Sequence, residues 1–351
     1  MRSAWIQATC LALLASLLLA CQQAPQPERR QLFALGTLVD LTAYPGQADH
    51  VAAFDAAEAA LLEEDARWRA WPNALKQAAD LATLNQSLAA GECVTLSEAM
   101  EDGVRKAREL AVRSGQRFNP AIGRLVEAWQ FHRDERPPAP PPDPASLQAL
   151  LAELPNMNDL EQTPAGCWRS NNPALWLDMG AFAKGLAVDR AADALQTSGI
   201  DNSIVNAGGD LVVLGSAAGR PWRVGIRETR GDGVLAVIES QGREAIFTSG
   251  DYERAFEWEA ARYHHILDPA TGMPATGTHS VTVIHADAAV ADAAATAIFI
   301  AGPDAWLNTA RQLDVHQVLR VDASGDIEMT AAMATRVTLA TDSMAAITVV
   351  D

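Results

Sequence analysis

Cations are scarce in this chain. Against 44 Asp and Glu stand 27 Lys and Arg, leaving a formal charge of −17 over 351 residues, and that balance argues against a nucleic-acid partner, whose phosphate backbone calls for clustered basic side chains. An anionic ligand would need cations supplied locally. Cysteine is also sparse: of four, Cys10 and Cys21 sit at the start, leaving Cys93 and Cys167, with no spacing that resembles a zinc site. Beyond residue 21 no stretch approaches the roughly twenty apolar residues of a membrane span. There is no internal repeat of roughly 20–50 residues, no G-x-G-x-x-G in a strand-turn-helix setting and no G-x-S-x-G elbow.

What is present begins with a leader. Arg2 precedes an apolar run from Ile6 to Ala20 that only small polar residues interrupt, and Cys21 follows directly, the layout of a secretory signal. The run Leu18-Leu-Ala-Cys21 resembles the cleavage box of bacterial lipoproteins, which makes Cys21 the expected lipidation site and residues 1–20 the signal peptide. Residues 21–31, polar and proline-containing, read as a flexible spacer between lipid and fold. The rest, 32–351, is long enough for one large domain or two fused lobes. The expected location is the periplasmic side of a bacterial membrane, the inner membrane by the family resemblance described below, although Gln22 lacks the Asp associated with inner-membrane retention. An oxidising compartment permits a Cys93–Cys167 bridge, but two cysteines in unrelated surroundings make no framework.

Along the chain, Phe33 to Ala43 reads as a strand broken at Gly36. Helices are expected from about Ala48 to Arg69, from Ser97 to Ser114, from Pro144 to Leu154 and from Ala181 to Ser198, the last closed by Gly199. Prolines between Arg136 and Pro144 exclude helix interior and central strand. Asp178 ends an apolar segment read as strand, Ser203 to Ser249 reads as successive strands with Gly turns, and Ser280 to His285 is a further strand feeding a helix. Strands in runs with helices grouped elsewhere predict an α+β fold, rich in antiparallel sheet with flanking helices.

Five segments carry candidate chemistry. Asp292 and Thr296 stand four apart in an Ala-rich helix, so a carboxylate and a hydroxyl share one face, a plausible hard-cation pair; alternatively Asp292 caps its own turn and Thr296 bonds back to the i−4 carbonyl. Lys184, after Asp178, lies near a helix start whose free amides favour anions, although a solvated Lys and an N-cap Asp would look the same. Asn206-Ala-Gly-Gly-Asp210 allows close backbone approach, with a tight hairpin the commoner explanation. Asp251 and Tyr252, in Thr248-Ser-Gly-Asp-Tyr252, could line a pocket or fix a turn. His264 and His265 should point to opposite faces, and His265 is the preferred proton acceptor. A hydrolase triad from Ser249, His265 and an Asp is conceivable without its elbow.

Taken in order, these motifs resemble the ApbE family, FAD:protein FMN transferases that cut FAD and attach FMN to Thr hydroxyls of partner proteins. The likeness spans about residues 33–302. The family's D-x-G-x-x-A-K-G matches Asp178, Gly180 and Ala183-Lys-Gly185; N-x-G-G-D matches Asn206 to Asp210; T-S-G-D-Y matches Thr248 to Tyr252; H-I-x-D-P starts at His265; and A-D-A-x-A-T covers Ala291 to Thr296. The resemblance implies that Asp292 and Thr296, with main-chain oxygens of Ala181 and Ala295, hold Mg²⁺ against the FAD pyrophosphate. It implies that Asp178, Lys184 and Ile266 contact FAD, that Leu35 and Trp71 pack on its rings, and that Phe118, Asn119 and Pro120 form a cofactor-touching segment. Leu35 replaces the usual Met, Asn119 and Ala121 stand where Asp and Thr are common, and Gln130 follows Trp129 where Gly is usual.

The implied reaction is attack of an acceptor Thr hydroxyl on the FMN-side phosphorus, releasing AMP, with Lys184 as a fixed cation and His265 or an Asp beside the metal taking the proton. The expected acceptor is a membrane-bound electron-transfer subunit. Two other readings are an FAD pyrophosphatase yielding FMN and AMP, and a lipid-anchored protein that carries flavin without chemistry.

Overall fold

A computed structural model describes residues 26–351 apart from 45, 47, 72–78, 134–138 and 341–344. Cys21 and the expected signal peptide lie outside the described residues. In chain order come strands β1 (Glu28–Ala34) and β2 (Thr37–Ala43), then helices α1 (His50–Arg67), α2 (Asp80–Ala89), α3 (Glu98–Arg113), α4 (Gly123–Ala128) and α5 (Pro144–Ala152). The short hairpin β3 (Leu160–Gln162) and β4 (Trp168–Ser170) leads to α6 (Ala183–Thr197). Eight strands follow: β5 (Ser203–Ala207), β6 (Asp210–Leu214), β7 (Trp222–Arg227), β8 (Val234–Ser240), β9 (Glu244–Gly250), β10 (Ala255–Trp258), β11 (Ala261–His264) and β12 (Thr278–His285). The chain closes with α7 (Ala288–Gln312), β13 (Gln317–Asp322), β14 (Ile327–Thr330), α8 (Ala331–Ala334), β15 (Val337–Leu339) and β16 (Ile347–Val350).

Nine strands make the main sheet in the order β1-β2-β5-β6-β9-β12-β13-β14-β16, antiparallel throughout except where β16 joins β14. Alternation along each strand divides its side chains between two faces. Val39, Leu41, Val205, Val212, Phe247, Val281 and Val283 point into a core shared with α1, α6 and α7. On the opposite face Leu211, Val213, Ile246, Ile284 and Leu319 meet Trp222, Val224 and Ile238 of the small sheet β15-β8-β7. The architecture is α+β, as expected.

Several local readings change. Phe33 to Ala43 is not one broken strand but the tip and return arm of a hairpin, because Leu35 and Gly36 both take positive φ (56° and 72°), the backbone of a two-residue turn matched to strand twist. The spacer expected to reach Gln31 ends sooner: Glu28 to Gln31 are already strand, with Arg30 bonded to Asp55 and Glu58 on α1 and Gln31 to Asp40 across the hairpin. Asp178 follows no strand; Trp176 makes only an isolated bridge to Ile122. Gly199 ends α6 in the left-handed region (φ 84°) as expected, and Ser97 caps α3 at Met100.

Contrary to expectation, among the described residues one helix, α7, is long and apolar enough to cross a bilayer. It is a core helix here, lying on β9 and β12 with Ala291, Ala293, Ala294, Ala295, Ala297, Ile298 and Phe299 buried. Gly302 (φ 63°, ψ −168°) interrupts its helical backbone and Pro303 begins the second segment, where a missing N–H costs nothing. Cys93 and Cys167 are joined by a disulfide, which fastens the segment before α3 to the β3–β4 hairpin.

Candidate functional site

The site assembles where the N-terminus of α6 meets the first turns of α7 above the sheet. Gly185 permits the approach: a Cβ there would lie 2.4 Å from the Ala288 carbonyl oxygen and 2.6 Å from the Ala289 Cα, backbone that cannot step aside. At that crossing Asp292, 5% exposed, accepts a hydrogen bond from the Gly185 amide at 2.9 Å. That amide, one of the first-turn donors of α6 that have no partner within the helix, is thus taken by a side chain from another helix, and Ala181 lies in the turn just before α6. Asp292 does not cap its own helix; Asp287 does, accepting from Val290 N at 3.1 Å. Thr296, one turn on, has its hydroxyl 3.1 Å from that of Ser249 on β9. Ala295, almost fully buried, sits in the helix interior, where its carbonyl also serves the helical ladder.

Lys184 pairs with Asp210 at the start of β6. Strand parity with Val212 and Leu214 puts Asp210 on the helix side of the sheet, and its second oxygen accepts from Thr248 N at 2.9 Å. Burial works to lower the Lys184 ammonium, but Asp210, Asp292 and Glu253 outweigh it and raise its pKa well above the ordinary value. Asp292 moves the other way from most paired carboxylates: burial pushes it up to about 7, against the pull of Lys184 and with the further push of Asp210. A carboxyl raised in this way lacks a positive partner strong enough to offset its burial. Oxygen donors around such a group suit a hard cation that keeps open positions for water or phosphate. Among the described residues no three His, Cys, Asp or Glu side chains form a metal-ligating group, so any cation here would rest on one carboxylate, hydroxyls and main-chain oxygens.

Asp178 is held from three sides: its N–H donates to the Pro120 carbonyl at 2.7 Å, one oxygen accepts from Gly180 N at 2.8 Å, and the other accepts from Trp71 Nε1 at 3.3 Å. Trp71 stacks with Trp176, ring centroids 5.3 Å apart and planes at 23°, and His132 lies 4.7 Å from its centroid. Phe118 and Asn119 are buried supports. The Phe118 ring packs 6.0 Å from Phe182, and Asn119 donates to Pro155 O and accepts from Ala121 N, both at 3.0 Å, so this segment reaches the site through the Pro120 carbonyl. Leu35 is at the hairpin tip, its N–H donated to Asp65 at 3.1 Å. Ile266 is buried in the main core.

The two histidines do face apart. His264 Nε2 lies 2.9 Å from Ala275 O and its ring meets Phe299 edge-on. His265 lies against Phe131 with Nδ1 buried and unpartnered. Burial, with Arg254 and Lys184 nearby, lowers its pKa to about 3. Ser249 pairs with Thr296 rather than with an imidazole, which removes the hydrolase triad. Asn206 accepts from Gly209 N at 2.8 Å, so the Gly pair is a tight hairpin turn. Asp251 pairs with His279 at 2.6 Å and with Arg262 at 3.5 Å, while the Tyr252 ring, backed against Gly250, carries Arg227 at 5.2 Å. Asp210 was visible in the sequence only as part of a motif and Ser249 only as a motif member or triad candidate; the signal that could have given their observed roles is strand parity with buried neighbours.

The family model described as ApbE family matches residues 35–319. A protein of Rhodobacter capsulatus named FAD:protein FMN transferase is 39% identical over 352 aligned positions, covering 98% of this chain and 66% of that protein. A Treponema pallidum protein of the same name is 34% identical, with 63% and 65% covered. The chain thus spans about two thirds of the length of these two relatives. Among solved structures, the ApbE protein of Thermotoga maritima superposes with a TM-score of 0.79 at 29% identity, covering 89% of this chain and 99% of that one. The flavin transferase ApbE of Vibrio cholerae gives 0.76 at 26% identity, covering 88% and 99%.

Proposed function

This chain belongs to the ApbE family, and from that premise we propose that it transfers FMN from FAD to a Thr hydroxyl of an acceptor protein, with release of AMP and with Mg²⁺ at the α6–α7 crossing. The observation that carries the reading is the meeting of Asp292 with the Gly185 amide beside Lys184. It brings a buried acid, a cation and a helix start to one point from two motifs more than 100 residues apart.

Asp292 and Thr296 would hold the ion, with the carbonyls of Ala181 and Ala295. When bound, Mg²⁺ supplies Lewis-acid polarisation of the pyrophosphate oxygens and a template for the reacting groups. Lys184, kept charged by Asp210, adds a second positive charge and orients a phosphate oxygen, since phosphoryl transfer asks mainly for positioning and neutralisation. Trp71, fixed by Asp178 and Trp176, presents an aromatic face for the isoalloxazine. His265 stays neutral because burial and the cations Arg254 and Lys184 disfavour a further charge. An anionic phosphate beside Lys184 would offset that repulsion and raise the basicity of His265, readying its ring to take the Thr proton.

The protein is proposed to act from a lipid anchor at Cys21 on the periplasmic side of a membrane, on a membrane electron-transfer subunit. The decisive experiment incubates purified protein with FAD, Mg²⁺ and a co-expressed candidate acceptor, measuring AMP and the acceptor's mass. FMN added to a Thr with equimolar AMP is expected. AMP with free FMN alone would make the protein a pyrophosphatase, and no AMP under any condition would leave a flavin carrier.

A further inference from the structure

We propose that Asn85 is a positioning residue for flavin binding, holding Trp71 and Asp178 in register from inside the core; this deepens the flavin-transfer reading and rests on it. Asn85 lies on α2 among Leu81, Leu84 and Leu88 and is fully buried. A side-chain amide in such a place is costly unless its polar atoms are bonded. Its Oδ1 accepts from Leu177 N at 2.7 Å and its Nδ2 donates to Leu177 O at 2.8 Å, so one amide pairs with both polar groups of one residue, as a neighbouring strand would. The same Nδ2 lies 3.5 Å from Ala70 O.

Those partners are the residues immediately before Asp178 and Trp71. Leu177 has no regular strand or helix to fix it, and Ala70 follows the end of α1. The amide of Asn85 therefore supplies the cross-link that secondary structure does not, and its output is the Trp71 Nε1 to Asp178 contact at 3.3 Å. Satisfying a lone buried amide would require no such placement. Here the two tethered backbones carry the aromatic face and the acid that address the ring end of the ligand, while the cation end at Asp292 and Lys184 hangs on α6 and α7 and is not reached by these bonds.

The test is Asn85→Asp, which keeps the shape and an acceptor for Leu177 N–H but leaves at most a single O–H, when protonated, for the two carbonyls of Leu177 and Ala70. FAD titrations in the intact protein follow quenching of flavin fluorescence, a signature of ring stacking on an indole. Wild-type binding is measured first; its absence would sink the flavin reading and this assignment with it, whereas the variants test this assignment alone. Given wild-type binding, Asn85→Asp should raise the FAD Kd by about tenfold, the scale of one buried hydrogen bond left unmade, with weaker quenching at saturation and an unchanged Mg²⁺ midpoint for AMP release. Met329→Ala, a cavity in the second core, controls for general loosening and should leave FAD affinity as in the wild type. Trp71→Phe removes the Nε1 donor, and combined with Asn85→Asp it should add little further loss if both act through one contact. Should Asn85→Asp fail to fold, Asn85→Ser replaces it in the same cycle. Quenching and affinity within twofold of wild type, full additivity with Trp71→Phe, or an equal loss in Met329→Ala would each overturn the assignment.

Discussion

Asp292 shows how one residue's surroundings decide its chemistry. A carboxylate pushed up to about 7 binds a proton in the folded chain that the unfolded chain gives up near the ordinary value of about 4. Between those values the native state holds more protons, so this group's contribution to stability of the metal-free protein falls as pH rises through the window. A divalent cation must displace that proton and therefore gains affinity over the same interval. Mg²⁺ should accordingly raise the melting temperature more at pH 8 than at pH 5.5, and Asp292→Ala should abolish the difference. The same variant should lose at least about a hundredfold in metal-dependent AMP release, the scale of removing one preorganised electrostatic stabiliser. Near-normal turnover in Mg²⁺ buffer by a folded Asp292→Ala protein would remove the metal from this position. Thr296 was nameable beside Asp292 from spacing alone and Lys184 only through the family resemblance, whereas the two structural alternatives for the pair, a self-cap and an i−4 back-bond, could be weighed only when Asp287 and Ser249 were seen in place.

At the scale of elements the crossing of α6 over α7 is the feature on which the site depends. Gly185 was legible as part of a motif, but the reason for a glycine was not, since it lies in Ala288 and Ala289, more than a hundred residues away. Gly185→Ala puts a methyl against backbone and should force the helices apart, at a cost of about 1–3 kcal/mol by the usual measure of overpacking. Thermal unfolding would show the loss of stability, and Mg²⁺ titration a weaker midpoint, because the Asp292 to Gly185 bond shifts with the helices. A variant with unchanged melting temperature and unchanged metal response would mean that the approach is looser than the structure indicates. Helix ends were the best-read elements: Ser97, Pro144 and Gly199 act locally, through a cap, a fixed φ at the first helical position and a left-handed residue. The Leu35-Gly36 turn was read as an interruption because its partner strand, β1, was hidden in residues whose polar composition resembles a spacer.

For the whole molecule, the nine-stranded sheet gathers β1 from one end and β16 from the other, so long-range closure sets much of the folding cost. The Cys93–Cys167 bridge spans a sequence separation of 74 residues and should stabilise by about 2–4 kcal/mol, chiefly by restricting the unfolded chain. Reduction with a thiol should lower the melting temperature by several degrees, and Cys93→Ser should show the lowered value without further response to reductant. Equal melting with and without reductant would show that the bridge contributes little. Neither the bridge nor the apolar length of α7 could be assigned from composition: pairing requires proximity, and an apolar helix is a core helix or a membrane span according to what covers it.

By itself the sequence determined the local and the compositional: the helix ends at Ser97 and Gly199, the α+β class and the motifs that join Asp178, Lys184, Asp292 and Thr296 to a family. Those properties depend on neighbours a few residues away or on totals. Tertiary structure alone decided which charges meet and which polar groups are left wanting, as with Lys184 on Asp210, Asp292 on Gly185 and Asn85 on Leu177. Electrostatics and hydrogen bonding act over a few ångströms of space, and only folding converts separations of 26, 107 and 92 residues into contacts.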